Sequence, residues 1–293
     1  MNTFLDCIPC FVRQALEAAR YVTEDRRLHE QILRDVLRMT AELDLDQTPP
    51  FLGQAIHRRL RELTGASDPY QATKRHFNRL ALEALPELRA AVQNAADPLL
   101  AAATFAIAAN ALDMAMAGAS TAATIRVALQ SAAREPLAGN WEGFRAAVSR
   151  ASDILLLADN AGEIVVDRLL IEQLGPERVT LVVRGSPVLN DATEADAHEA
   201  GLHGLVEIMP NGSDAPGTIL ADCSEAFRRR FSAADLIIAK GQGNLETLLG
   251  SDGNLFFLFK VKCPVISRHV GHPVGTHAVV HQQGGRPELA LTP

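Results

Sequence analysis

Three short loops in the second half of the chain carry residues whose types and spacing suit chemistry on an anion. The first, Asp159-Asn160-Ala161-Gly162-Glu163, follows an apolar run. A carboxylate beside an amide offers two hard oxygen ligands suited to Mg²⁺ or Mn²⁺. A helix starting directly behind them would present backbone N–H groups to an anion. Capping of that helix by Asp159 or Asn160 is the alternative, and the segment alone leaves both open. The second loop, Arg184-Gly185-Ser186-Pro187-Val188-Leu189-Asn190-Asp191-Ala192-Thr193, ends in another carboxylate with a helix behind it. Asp191 lies about one strand–helix unit beyond Asp159, the separation that returns a chain to the same sheet edge. Capping by Asp191 or Thr193 is again the plainer alternative, but two such loops on adjacent strands favour a metal site.

The third loop, Lys240-Gly241-Gln242-Gly243-Asn244-Leu245-Glu246, places a lysine at a strand tip, glycines beside it and a helix directly behind. Together these make a phosphate cradle with its own point charge. The loop lacks the Gly-Lys-Ser/Thr ending of a P-loop, and Glu246 stands where a dinucleotide fingerprint needs its third glycine. In the first half, Asn110 and Asp113 lie three apart on one face of an alanine-rich helical segment. Buried without partners they would cost several kcal/mol, so they either pair locally or face the same polar site.

The elements that position these loops follow from hydrophobic periodicity. From Ile8 to about Arg150 apolar residues recur every three or four positions, as in Leu28, Ile32, Val36, Leu37 and Met39, and this half reads as helical. Pro49-Pro50, Gly65 to Pro69, Pro86 and Asp97-Pro98 punctuate it. Beyond Arg150, short apolar runs at 153–158, 179–183, 205–209, 235–239, 255–261 and 265–267 read as buried parallel strands. Helices are expected between them at about 162–174, 193–200, 218–232 and 244–250. The expected architecture is a three-layer α/β/α, Rossmann-like, mostly parallel sheet over residues 139–293, carrying an all-helical N-terminal subdomain over residues 1–138. Parallel strands deliver ligands to the crevice at their carboxyl ends, where the three loops lie.

Composition bounds the function. With 293 residues, 47% hydrophobic and 22% charged, the chain can bury a sizeable core. A net charge of −7 gives no general attraction to nucleic acid or an anionic membrane, and Arg228-Arg229-Arg230 is a solvated helix end. No apolar run reaches the length of a membrane span, and Asp6 stands where a secretory signal would be apolar, so a cytoplasmic protein with cysteines as thiols is expected. Cys7 and Cys10 read as a structural pair; a zinc site shared with Cys223 and Cys263 would need all four to converge. His269, His272, His277 and His281 read as a surface tail, and Trp141 as a core or junction anchor.

With the three loops in this order, extended to Thr247 and followed by Lys262-Cys263, the chain resembles the damage-control phosphatases, formerly grouped as domain of unknown function 89. The resemblance spans nearly the whole chain, includes Asn110-x-x-Asp113, and through Cys7-Ile8-Pro9-Cys10 is similar to the short microbial branch. It implies a divalent cation, Mg²⁺ or Mn²⁺ with Co²⁺ and Ni²⁺ as further candidates, on Asp159, Asn160 and Asp191, and a phosphate contact from Lys240. The implied activity is metal-dependent hydrolysis of phosphate monoesters of small metabolites, sugar phosphates or damaged phosphometabolites. Gly241, Gly243 and Asn244 would face the substrate, and Asn110 and Asp113 would close the site from the helical side. Glu163 or Asp191 would orient water, and direct attack by a carboxylate stays open. Two other classes compete: a non-catalytic metal or small-molecule binder, and a nucleotide-cofactor enzyme, which the missing glycine fingerprint disfavours. The expected partner is a small phosphorylated metabolite, with neither nucleic acid nor membrane.

Overall fold

The computed structural model describes residues 1–110, 121–132 and 135–287; Asp113 lies outside them. The described helical half comprises α1 (Cys7–Val22), α2 (Arg26–Ala41), α3 (Pro49–Thr64), α4 (Gln71–Gln93), α5 (Pro98–Ala109) and α6 (Ala122–Ala132). Pro49 and Pro50 open α3 and Gly65, at φ +68°, closes it. Asp97 caps α5 by accepting the Leu100 N–H at 3.1 Å. Pro86, expected to interrupt, lies inside an unbroken α4.

The second half alternates as expected: β1 (Leu137–Gly139), α7 (Trp141–Arg150), β2 (Ile154–Leu157), α8 (Glu163–Leu174), β3 (Val179–Val183), α9 (Glu194–Glu199), β4 (Glu207–Pro210), α10 (Glu225–Ala233), β5 (Leu236–Lys240), α11 (Gln242–Leu248), β6 (Asn254–Lys260), α12 (Pro264–Val270), β7 (His277–Gln283) and β8 (Arg286–Pro287). The strand order is β1-β7-β6-β5-β2-β3-β4, with β8 paired to β7. Neighbours are parallel except β6–β7 and β7–β8. The order reverses between β2 and β5, a topological switch point of the kind at which such sheets bind ligands. Loops 159–163 and 240–246 leave from those two strands.

Alternation along the strands feeds two cores. Ile154, Leu156, Ile238, Phe256 and Leu258 pack against α4, α5 and α8, whereas Leu155, Leu157, Ile237, Phe257 and Phe259 pack against α10, α11 and α12. A third, smaller core joins α1, α2 and α3. The seam expected near 138 falls within β1, and the largest core draws residues from both sides of it. Trp141 packs at that junction, 5.2 Å from the Phe144 ring. No helix among the described residues is long and apolar enough to cross a membrane.

Two local readings are corrected. The segment 265–267 is helical: Cys263 caps α12 with its sulfur 3.5 Å from the Ile266 amide, Pro264 opens it and Gly271, at φ +73°, ends it. His277 and His281 belong to β7 instead of a surface tail. His277 is fully buried, and His281 stacks on Phe256 at 4.2 Å. Their ring faces pack as apolar surface, which a reading of histidine as polar overlooks.

Helix α3 is tied to the loop after β4 through Asp214 and Asp222, the latter accepting from Gln54 Nε2 at 2.7 Å. Asp214 accepts from Gln54 Nε2 at 2.6 Å, from Arg58 Nη2 at 2.6 Å and from Arg61 Nη2. Burial alone would raise its pKa, but the bonds from Arg58 and Gln54 outweigh that and hold it below the usual carboxylate range. A carboxylate with a depressed folded pKa contributes stability above its unfolded pKa and loses it as pH falls through the folded value. Asp214→Asn is therefore expected to cost about 2 kcal/mol in urea unfolding at pH 7, with the deficit shrinking as pH falls below 3.8 and through the lowered folded pKa.

Candidate active site

Backbone hydrogen bonds stitch the first two loops together. Ala161 N–H donates to Asn190 O and Ala192 N–H to Asp159 O, each at 2.8 Å. This sets Asn160 directly opposite Asp191 in an isolated antiparallel bridge, the kind of pair in which side chains stand closest. Helix α4 braces both loops from outside. Asn78 Oδ1 accepts the Gly162 N–H at 2.6 Å, and its Nδ2 donates to Asp196 Oδ1 at 3.2 Å. One turn earlier, the buried Lys74 ammonium meets Asp196 at 2.9 Å, Asp68 at 2.9 Å and the carbonyl of Asp191 at 3.5 Å. Gly162, at φ +78°, allows the turn into α8. Leu189 holds φ +47° two residues before Asp191, a conformation that costs a non-glycine residue free energy and marks this loop as tightly constrained.

The charged groups that result are out of balance. Asp159, Glu163, Asp167 and Asp191 gather, and among the described residues the cations within ion-pair distance of their carboxylates are Lys240 and Arg184, while the charge of Lys262 also acts on Asp159. Lys240 Nζ bonds Glu163 Oε1 and Asp167 Oδ1, both at 2.6 Å, and Arg184 Nε bonds Asp191 Oδ2 at 2.7 Å. Burial, followed by the charges of Glu163 and Asp191, pushes Asp159 up to about 7. Burial likewise raises Asp191 against the pull of Arg184, and raises Asp167 against that of Lys240. Burial would lower Lys240, but the two carboxylates on it win and hold its pKa above the ordinary range.

Amides distribute this charge. Asn110 Nδ2 donates to Asp159 Oδ2 at 2.6 Å and Glu163 Oε2 at 2.8 Å; Asn160 Nδ2 donates to the same oxygens at 2.9 and 3.2 Å. Among the described residues no hydrogen bond reaches Asp159 Oδ1, Asn160 Oδ1 or Asp191 Oδ1. Two carboxylates and an amide, each with one oxygen spare, suit a hard divalent cation, and its two positive charges would balance the excess. No group of three or more His, Cys, Asp or Glu side chains forms a metal site among the described residues; the set here is two acids plus an amide.

The expected residues divide accordingly. Asp159, Asn160, Asp191, Glu163 and Asn110 converge. Lys240 is fully buried and its three N–H groups are spent on Glu163, Asp167 and the Ala106 carbonyl, so its ammonium faces the sheet interior instead of a ligand. Asn244 is also buried and consumed: its Nδ2 holds the Ala158 and Lys240 carbonyls, and its Oδ1 accepts from Thr218 and Arg184. The Gly241 N–H is taken by the Leu258 carbonyl at 3.1 Å. What Gly241 supplies is room, since a Cβ there would overlap the Asp159 carboxylate. A Cβ at Gly243 would likewise overlap the Pro216 carbonyl. Arg184, Asp167, Lys74, Asn78 and Thr218 were missed as site residues. Asp167, four residues after Glu163 in an otherwise apolar helix turn, and Arg184, directly after β3, carried the available signal.

The cysteines are free thiols. Burial and the neighbouring Glu246, Cys263 and Cys10 raise the Cys7 pKa over a backbone bond from Phe4 that lowers it, while Cys223 lies apart in the core behind β2 and β5.

The model of the damage-control phosphatase ARMT1-like domain matches residues 3–278. The chain belongs to that family. It is 34% identical over 278 residues to a damage-control phosphatase of Archaeoglobus fulgidus, covering 92% of this chain and 95% of that one. It is 32% identical over 291 residues to an uncharacterized protein of Methanocaldococcus jannaschii, with 94% of each covered. A crystal structure of a DUF89 family protein from Pyrococcus horikoshii superposes with a TM-score of 0.87 at 27% identity, over 95% of this chain and 98% of that one.

The raised Asp159 has a consequence for stability. A carboxylate whose folded pKa lies near 7, against an ordinary 3.8, destabilises the fold increasingly as pH rises from about 4 to 7, in full above that, and not below about pH 4, where both states hold the proton. Asp159→Asn keeps an acceptor for Asn110 and Asn160 and removes the charge. In chelator-treated protein it is expected to raise unfolding free energy at pH 8 by on the order of 2 kcal/mol, with the gain fading toward pH 4 in urea titrations. Equal stability at pH 8 would show that the surplus charge is not borne by Asp159.

Proposed function

We propose that the protein is a divalent-metal-dependent phosphatase that hydrolyses phosphate monoesters of small metabolites, sugar phosphates or damaged phosphometabolites. The observation that carries the reading is the surplus of buried carboxylate at the switch point of the sheet, with one spare oxygen on each of Asp159, Asn160 and Asp191. Membership of a phosphatase family supports the reaction class.

Mg²⁺ or Mn²⁺ on these three residues would supply Lewis-acid neutralisation of a phosphoryl oxygen and a more acidic water. The protein's own part is positioning. Glu163 and Asp159 hold the Asn160 amide so that its nitrogen is occupied and its oxygen spare. Lys240 fixes Glu163 from behind, and Asn110 covers both carboxylates from α5. Lys240 thus serves the phosphate indirectly, through Glu163. Of the two candidates for orienting water, Glu163 has both oxygens engaged, by Lys240 and by the two asparagines. Asp191 has only Oδ1 free, Oδ2 being held by Arg184, and that oxygen is the one offered to the metal, so neither carboxylate is assigned as the base.

Phosphate release from p-nitrophenyl phosphate and a panel of sugar phosphates, with chelator-stripped protein and added Mg²⁺, Mn²⁺, Co²⁺ or Ni²⁺, tests this. Metal-dependent turnover is expected, reduced at least about 10²-fold by Asp159→Asn. Metal binding that depends on Asp159 but no turnover on any ester would instead favour a binding protein on the same fold.

A further inference from the structure

We propose that Arg184 is a phosphate-binding catalytic residue whose Nη2 donates to a non-bridging oxygen of the substrate phosphoryl group. The inference rests on the phosphatase reading for its substrate, but the anion site itself stands on separate geometry. Arg184 follows β3 directly and is 2% exposed. One end of its guanidinium is fixed: Nη1 lies 3.3 Å from both Thr218 Oγ1 and Asn244 Oδ1. The opposite edge, Nε and Nη2, faces the two strand-tip carboxylates. Nε bonds Asp191 Oδ2 at 2.7 Å, while Nη2, although buried, stands 3.8 Å from Asp159 Oδ1 with no hydrogen-bond partner among the described residues.

A guanidinium edge ordinarily gives two parallel hydrogen bonds to one carboxylate or phosphate. Here Asp191 takes one, and the second donor is left aimed at the space beside Asp159 Oδ1 and Asp191, where the cation would sit. Leaving a buried cationic N–H unsatisfied is costly, and an arginine held by three hydrogen bonds at Nη1 and Nε is not free to turn away and relieve it. A phosphoryl oxygen shared with the cation supplies the missing acceptor, and the guanidinium would stabilise the charge that develops on the equatorial oxygens during transfer. Lys240, with all its donors spent, cannot play this part; Arg184 is the buried cation with a donor to spare. The competing role is purely positional, with Arg184 keeping Asp191 ionised and oriented for the metal.

The two roles separate on one variant. Arg184→Lys keeps a charge near Asp191 but loses the fork. Mn²⁺ affinity would be measured by electron paramagnetic resonance. Binding of inorganic phosphate to the Mn²⁺-loaded protein would be measured by ³¹P relaxation. The expected result is Mn²⁺ affinity within about threefold of the unsubstituted protein, phosphate affinity down at least about tenfold, and kcat on esters down about 10²-fold. Weaker Mn²⁺ binding with phosphate affinity unchanged at saturating Mn²⁺ overturns the proposal in favour of the positional role. So does failure of the unsubstituted Mn²⁺-loaded protein to bind phosphate. Should Arg184→Lys not fold, crystals of the unsubstituted protein soaked with Mn²⁺ and orthovanadate decide. A vanadate oxygen at hydrogen-bond distance from Nη2 supports the assignment, and vanadate bound away from Nη2 contradicts it. Phosphate binding that depends on Arg184, without turnover of any ester, supports the anion site while rejecting the phosphatase reading.

Discussion

The constraint on which the site depends is electrostatic: four carboxylates are held at one end of a sheet with two cations among them. Water cannot disperse this charge, because Glu163, Asp167 and Lys240 are fully buried and Asp159 and Asp191 nearly so. The fold bears that cost through rigid geometry. The bridge between Asn160 and Asp191 fixes the two loops against each other, Asn78 and Lys74 brace them from α4, and Gly241 leaves room beside Asp159. Each device prevents a carboxylate from swinging out to solvent. Held in this way, the site would be pre-organised for the cation proposed above and for the anion it would attract.

The same devices explain why the helical half and the sheet are built as one packed body. α4 supplies Lys74 and Asn78, α5 supplies Asn110 and the Ala106 carbonyl that receives Lys240, and α3 grips the 211–222 loop through Asp214. The alanines of α5 let it approach α8 closely enough for Asn110 to reach Glu163. The chemistry of the strand tips therefore depends on residues about fifty or more positions earlier in the chain, and loosening the helical part should be felt at the site before it is felt in the sheet.

Much of this was legible in the sequence. The central strands were legible as apolar runs at 153–158, 179–183 and 235–239, and the Asp-Asn and Asn-Asp loops as polar strand tips that the structure sets face to face. Asn110 was legible as a polar residue on a face of small ones. Other features were hidden for physical reasons. Strand β7 carries histidines whose rings pack as apolar surface, and α12 begins on a cysteine cap that a hydrophobic run masks. Lys240 read as a phosphate ligand because sequence shows a charge at a strand tip but not which side of the sheet it enters; Glu163 and Asp167, one helical turn apart, draw it inward. Arg184 was hidden for the converse reason, since its unpaired nitrogen exists only after Asp191, Thr218 and Asn244 have claimed the rest of the side chain.

The central claim is that one divalent cation resolves the charge surplus at Asp159, Asn160 and Asp191. The most direct measurement is an anomalous difference map from crystals soaked in Mn²⁺. The account predicts a single strong peak at metal–oxygen bonding distance from Asp159 Oδ1, Asn160 Oδ1 and Asp191 Oδ1. Saturating Mn²⁺ with no density between those three oxygens, or with the ion held elsewhere, would contradict it.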